Sequence, residues 1–258
     1  MAVMWGLRQA RPLWTAWQRQ DEGICFWTLS FKSPEQEGGF SASRKTTLIR
    51  QVSVLATLVF LMVGVTVLLE VSGPDPYSSE QELTRWVQLV GLATGASLVI
   101  ALPLALQCRC LCQRVSVPML EVAATALCCA IMCVSVLTQP LYLSKLLDHD
   151  LVRAYGPDVH TQATDSMILL IIDGIVTATH LGLDIRWKVL FFTEVVGISL
   201  YTFIVFAVGS FEQNAKFNLV VLLGLVTAAA MAKRSAEITE RKVFLDILKE
   251  RTLRCQAE

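Results

Sequence analysis

The sequence predicts an all-α protein, a polytopic membrane helical bundle of six transmembrane helices followed by one cytoplasmic helix. Three observations carry that prediction. Composition is 54% hydrophobic and 17% charged, with a mean hydropathy of +0.54, whereas a soluble domain carries about 25% charged residues. The apolar residues gather in runs, and crossing a bilayer takes roughly 20 of them. The last run passes, with no Pro or Gly between, into the charged stretch "EITERKVFLDILKERTLRCQAE". Formal net charge is zero, so no global field argues for nucleic acid.

Residues 1–43 read as a polar, disordered cytoplasmic leader, because "KSPEQEGGFSAS" is too polar to bury a core. Trp5, Trp14 and Trp17 alternate there with Arg8, Arg11 and Arg19. A basic amphipathic helix on the bilayer is the alternative reading of that stretch. The leader lacks the unbroken apolar core and cleavage site of a signal peptide.

The transmembrane domain covers residues 44–232. Its six spans are Val52 to Leu69, Trp86 to Leu106, Val117 to Leu137, Ser166 to Leu183, Val189 to Val208 and Phe217 to Ala232. The fourth is the weakest, since Asp173 interrupts it. Between the third and fourth, "LYLSKLLDHDLV" reads as a short helix against the membrane face.

Basic residues set the orientation. Arg44, Lys45, Arg50, Arg109, Arg114, Arg186, Lys188, Lys233 and Arg234 fall on one side; Arg85, Lys145, Arg153 and Lys216 fall on the other. Both termini are therefore expected in the cytoplasm. Plasma membrane and endomembrane are not distinguished by this bias.

Residues 233–258 read as a cytoplasmic signalling or connector helix. Glu, Lys, Arg and Leu are good helix formers. Glu237 with Arg241 and Glu250 with Arg254 stand four apart in the favoured order. Ile238, Phe244, Leu245 and Leu248 share one face, and Val243 and Ile247 fall outside it. That face is the expected contact with a partner helix or a second copy; the spans' partner is the lipid bilayer.

The fourth span holds the candidate polar site. Asp173, Thr177, His180 and Asp184 are spaced 4, 3 and 4, and Glu194 of the fifth span joins them. An ionised carboxylate at the bilayer centre costs at least about 2.5–3.5 kcal/mol, so such groups turn inward. The functional reading is a proton- or ion-responsive site, with His180 as a titrating group. The alternative is an interhelical hydrogen-bond clamp.

Cys108, Cys110 and Cys112 lie beside arginines at the end of the second span, the setting of reversible palmitoylation. Free thiols and a zinc site are the other readings, and zinc lacks a second cysteine cluster. Gly91 and Gly95, and Gly224 and Ala228, are small residues four apart that suit close helix packing. No phosphate-binding loop, HExxH or GxSxG motif occurs, and no metal, cofactor or catalytic residue is expected.

The six-span layout and "MAKRSAEITERKVFLDILKERTLRCQAE" resemble the membrane regions of multi-pass sensors in microbes and protists. In that class, short-looped helices feed a cytoplasmic helix leading into a PAS-like, histidine kinase or class III nucleotide cyclase domain. The resemblance implies a sensor or anchor module acting through its last helix. It also implies an output domain beyond residue 258. A small transporter or channel subunit, using Asp173, His180 and Glu194, is the competing expectation.

Overall fold

The computed structural model describes residues 24–25, 28–72, 78–107, 114–156, 165–210 and 214–257. The described chain is helical, with no strand beyond one isolated bridge between Ile24 and Phe31. The helices are α1 (Pro34–Val71), α2 (Ser79–Gln107), α3 (Val117–Leu137), α4 (Pro140–Leu146), α5 (Leu151–Tyr155), α6 (Ser166–Gly182), α7 (Trp187–Phe203) and α8 (Ala215–Ala257). A π-helical turn, Ile204–Gly209, extends α7.

Among the described residues, five helices are long and apolar enough to cross a membrane: α1, α2, α3, α7 with its π-helical turn, and α8. The expected fourth span is α6, a shorter apolar helix of 17 residues. At about 1.5 Å per residue it falls a little short of a hydrocarbon layer of about 30 Å. Its end is abrupt because Leu183 is extended (φ −114°, ψ 130°).

The polar stretch expected to be a leader is helical from Pro34 onward. Proline is favoured at a first helical position, where its missing N–H costs nothing. Glu35 and Glu37 occupy the first turn, where carboxylates meet the positive end of the helix dipole. The segment around Trp5, Trp14 and Trp17 lies outside the described residues. In the loop where one short helix is expected there are two, α4 and α5, and Asp150 caps α5 by accepting from Val152 and Arg153 N–H.

The chain divides into two compact units. The larger is Arg44–Ala236. At its centre α3 packs on α2, α6 and α7. Leu120, Ala124, Cys128, Met132 and Val136 line the buried face of α3 at helical spacing. One apolar cluster joins Met132 and Val136 to Ile168, Ile172, Val176 and Tyr201. A second joins Leu120, Ala124 and Cys128 to Leu48, Leu183, Ile185 and Leu190. The outer surface of α1 is apolar: Leu58, Leu61, Met62, Val65, Leu68 and Leu69 are all more than half exposed. Water would not tolerate so continuous a patch; a lipid bilayer is compatible with it.

The smaller unit consists of Met1–Ser43 with Glu237–Glu258. Within it Phe31, Phe40 and Phe244 form an aromatic cluster with ring centroids 5.3–5.9 Å apart. Arg241 is fully buried beside Phe31 and Phe40, its guanidinium carbon 5.0 and 4.5 Å from their centroids. It donates to Glu37 at 2.7 Å and to Glu237 at 3.0 Å. A buried cation needs such pairing to offset its lost hydration.

A candidate polar hub between helices

The link between α6 and α7, residues Leu183–Arg186, gathers polar groups from three other helices. From α1, Arg44 pairs with the Asp184 carboxylate and donates to the Asp184 carbonyl at 2.8 Å. Two helical turns further along α1, Gln51 accepts from Asp184 N–H at 2.7 Å. From α3, Glu121 accepts from Arg186 Nε at 2.6 Å and from its backbone N–H at 3.3 Å. From α8, Lys233 donates to the Leu183 carbonyl at 2.7 Å.

These bonds have a local cause. A helix that ends abruptly leaves its last carbonyls without intrahelical partners. Past the helix end the Leu183 and Asp184 carbonyls likewise have no helical partner, and cations from α8 and α1 satisfy them. Arg44, Glu121 and Lys233 are each less than a tenth exposed, so an unmade bond would cost about 1–3 kcal/mol, more for a charge.

One turn inside α6, His180 completes the hub. Its Nε2 lies 2.8 Å from Glu194 Oε1 on α7, and its Nδ1 lies 2.8 Å from the Val176 carbonyl. Both side chains of the pair are about 5% exposed. Beside them Thr193 is buried and receives a weak hydrogen bond from the Cys129 thiol on α3 at 3.9 Å. A small apolar cavity of about 60 Å³ lies between α1, α3 and α6, lined by Val52, Ala56, Ala124, Cys128, Thr179 and Leu183 among others. Neither His180 nor Glu194 lines it, and an apolar cavity of this kind stays dry.

The five residues expected to act together are thus placed in different surroundings. His180 and Glu194 touch. Asp184 is engaged by Arg44 and Gln51 instead. Thr177 is exposed, and Asp173, half-buried, makes no hydrogen bond among the described residues. The buried face of α6 runs through Ile168, Ile172, Val176, Thr179 and His180. Asp173 and Thr177 each lie one residue, about 100°, beyond that face.

Glu121, Arg186, Arg44 and Lys233 were not singled out by the spacing argument. Glu121 had a visible signal, a carboxylate one turn inside an apolar span. Arg44, Arg186 and Lys233 counted only as orientation charges. Gly197 on α7 was also missed, and a Cβ there would stand 2.8 Å from Ile172 Cγ2 and 3.3 Å from Met132 Sδ. At Gly91 a Cβ would stand 2.9 Å from Thr138 Cγ2, and at Gly95 3.9 Å from Val134 Cγ1. Gly224 has nothing within 4 Å, and Ala228 is exposed.

At the other end of the larger unit sits a second cluster. Asp165, fully buried, accepts from Tyr142 and Ser210 hydroxyls. Lys145 donates to the Gly209 carbonyl at 2.7 Å, and Gly209 takes φ +101°, which glycine adopts without strain. Burial pushes the Lys145 amine below its usual range, and the nearby Asp165 carboxylate pulls it partly back.

Ile238, Phe244, Leu245 and Leu248 are half-buried, and Phe244 is covered by Phe31 and Phe40. Val243 and Ile247 are exposed. Cys108, Cys110 and Cys112 lie outside the described residues. Among the described cysteines, Cys128, Cys129, Cys133 and Cys255 are free thiols. Comparison with protein-family models, curated proteins and solved structures finds no match for this chain.

Proposed function

We propose that the protein is a six-span membrane sensor or anchor module, with α6 as the fourth span and both termini cytoplasmic. In this reading the hub holds the first, third, fourth, fifth and last spans in one arrangement, and α8 carries changes in that arrangement to its charged cytoplasmic end. The observation that carries the reading is the buried bond from Lys233 of α8 to the Leu183 carbonyl. It ties the helix that holds the tail to the link that Arg44 of α1 and Glu121 of α3 also engage.

Exposed Cys255 near the end of α8 gives a place for a spin label, in protein whose other cysteines are replaced. In nanodiscs, Lys233→Met and Asp184→Asn should each change the mobility of that label, whereas Gly224→Ala should not. Unchanged spectra in both hub variants would sink the relay. The tail then presents Ile238, Leu245 and Leu248 to a partner helix or a downstream domain. Cys108, Cys110 and Cys112 serve as acylation sites that hold the end of the second span at the bilayer. A hydroxylamine-sensitive acyl label should vanish when all three become Ser, and persistence of the label would refute that role.

A further inference from the structure

Hydrogen-bond geometry at His180 fixes where its hydrogens are. The Val176 carbonyl oxygen, 2.8 Å from Nδ1, can only accept. Nδ1 must therefore carry a hydrogen. A neutral imidazole has one N–H, and it is used there. The other nitrogen, Nε2, is nevertheless 2.8 Å from Glu194 Oε1. A bare Nε2 facing an ionised carboxylate at that distance would set two lone pairs against each other where little water screens them. A hydrogen must lie between them. The pair is an imidazolium with a carboxylate, or a neutral imidazole with a carboxylic acid; either way it is net neutral and holds one proton more than its separated neutral-His and ionised-Glu forms.

We propose that His180 and Glu194 form an intramembrane proton-binding site, occupied in this structure, whose proton holds α6 and α7 together at the edge of the Leu183–Arg186 link. It deepens the sensor reading by naming the ligand, yet it does not depend on movement of the tail. Removing the proton to bulk water leaves Nε2 and Oε1 with no hydrogen between them, so the occupied state is the packed state and rising pH favours the separated one.

The neighbouring charges do not supply a substitute. On the link itself Asp184 is paired with Arg44 of α1, and Arg186 with Glu121 of α3. Lys233 of α8 is bonded to the Leu183 carbonyl, and Arg234 of α8 lies over the Trp187 ring at 5.3 Å. On α3 the Cys129 thiol is bonded to Thr193, next to Glu194 in the chain, and on α6 Asp173 lies nearly two turns away. Glu194 is thus left to His180.

The test uses the full chain in nanodiscs with ¹⁵N-labelled histidine, the His180 signals being those lost in His180→Gln. The wild type should show a protonated Nδ1 and an Nε2 that shares or carries a proton, and should lose that second feature on raising the pH. Glu194→Gln supplies a neutral N–H donor to Nε2, so its His180 signals should stay in the Nδ1–H form without pH dependence. Titration with base should release about one proton per chain more from the wild type than from Glu194→Gln. A wild-type spectrum with a bare Nδ1, or equal proton release from the two proteins, would overturn the proposal. The wild-type tautomer decides the matter by itself if the variant does not fold.

Discussion

The Lys145 amine is held between two opposed influences. Burial disfavours its charge, and the Asp165 carboxylate favours it. Asp165→Asn keeps an acceptor oxygen for one of the Tyr142 and Ser210 hydroxyls and offers its amide N–H to the other, but removes the charge. The amine should then fall further below its ordinary range, leaving more of it neutral and nucleophilic at neutral pH. Acylation of Lys145 by an amine-reactive reagent should be faster in Asp165→Asn than in wild type, as read by mass spectrometry. A slower reaction would mean that the carboxylate does not act on Lys145. Neither partner was visible as a pair in the sequence, because Lys145 and Asp165 lie 20 residues apart in a loop with no periodicity. His180 and Glu194 were legible, since polar groups in apolar spans have few places to go. Asp173 was over-read: spacing put it on a face with His180, but a helix face is broad, and the packed stripe runs one residue to its side.

Packing between α6 and α7 turns on a glycine that no small-residue pattern revealed. Gly197 faces Ile172, which is fully buried. A methyl group there would overlap a core residue that cannot retreat into solvent. Gly197→Ala should destabilise the bundle by about 1–3 kcal/mol, the usual cost of overpacking. Gly224→Ala, with nothing within 4 Å, should change stability by less than about 0.5 kcal/mol. Reversible unfolding in mixed micelles measures both, and equal effects would contradict the packing. The paired-glycine pattern was informative at Gly91, where Thr138 and Val134 close in. It misled at Gly224 because sequence spacing does not say which face of a helix meets protein and which meets lipid. Helix bounds were easier: α3 coincides with its predicted span because Pro118 sets its start and Thr138 ends its apolar run.

At the scale of the whole molecule, apolar run length is consistent with a helical chain in a bilayer, but does not fix how many times it crosses. Five helices satisfy the length that crossing requires, and α6 has 17 residues. The orientation argument needs α6 to cross. If it does, the cations Arg44, Arg186 and Lys233 that meet at the hub share one membrane face, the face with the excess of basic residues. The hub then lies at the cytoplasmic edge, and the Asp165–Lys145 cluster at the opposite edge. If α6 did not cross, Asp165 and Asp184 would label from the same side. Tags at both termini should accordingly resist protease in sealed cells, while a cleavage site inserted among residues 157–164 should be cut from outside. Single cysteines at Ser78 and Asp150 should react with an impermeant thiol reagent added externally, and one at Lys188 only after permeabilisation. External reaction at Lys188 would remove α6 from the spans, put the termini on opposite faces, and take the cytoplasmic assignment of the α8 tail with it.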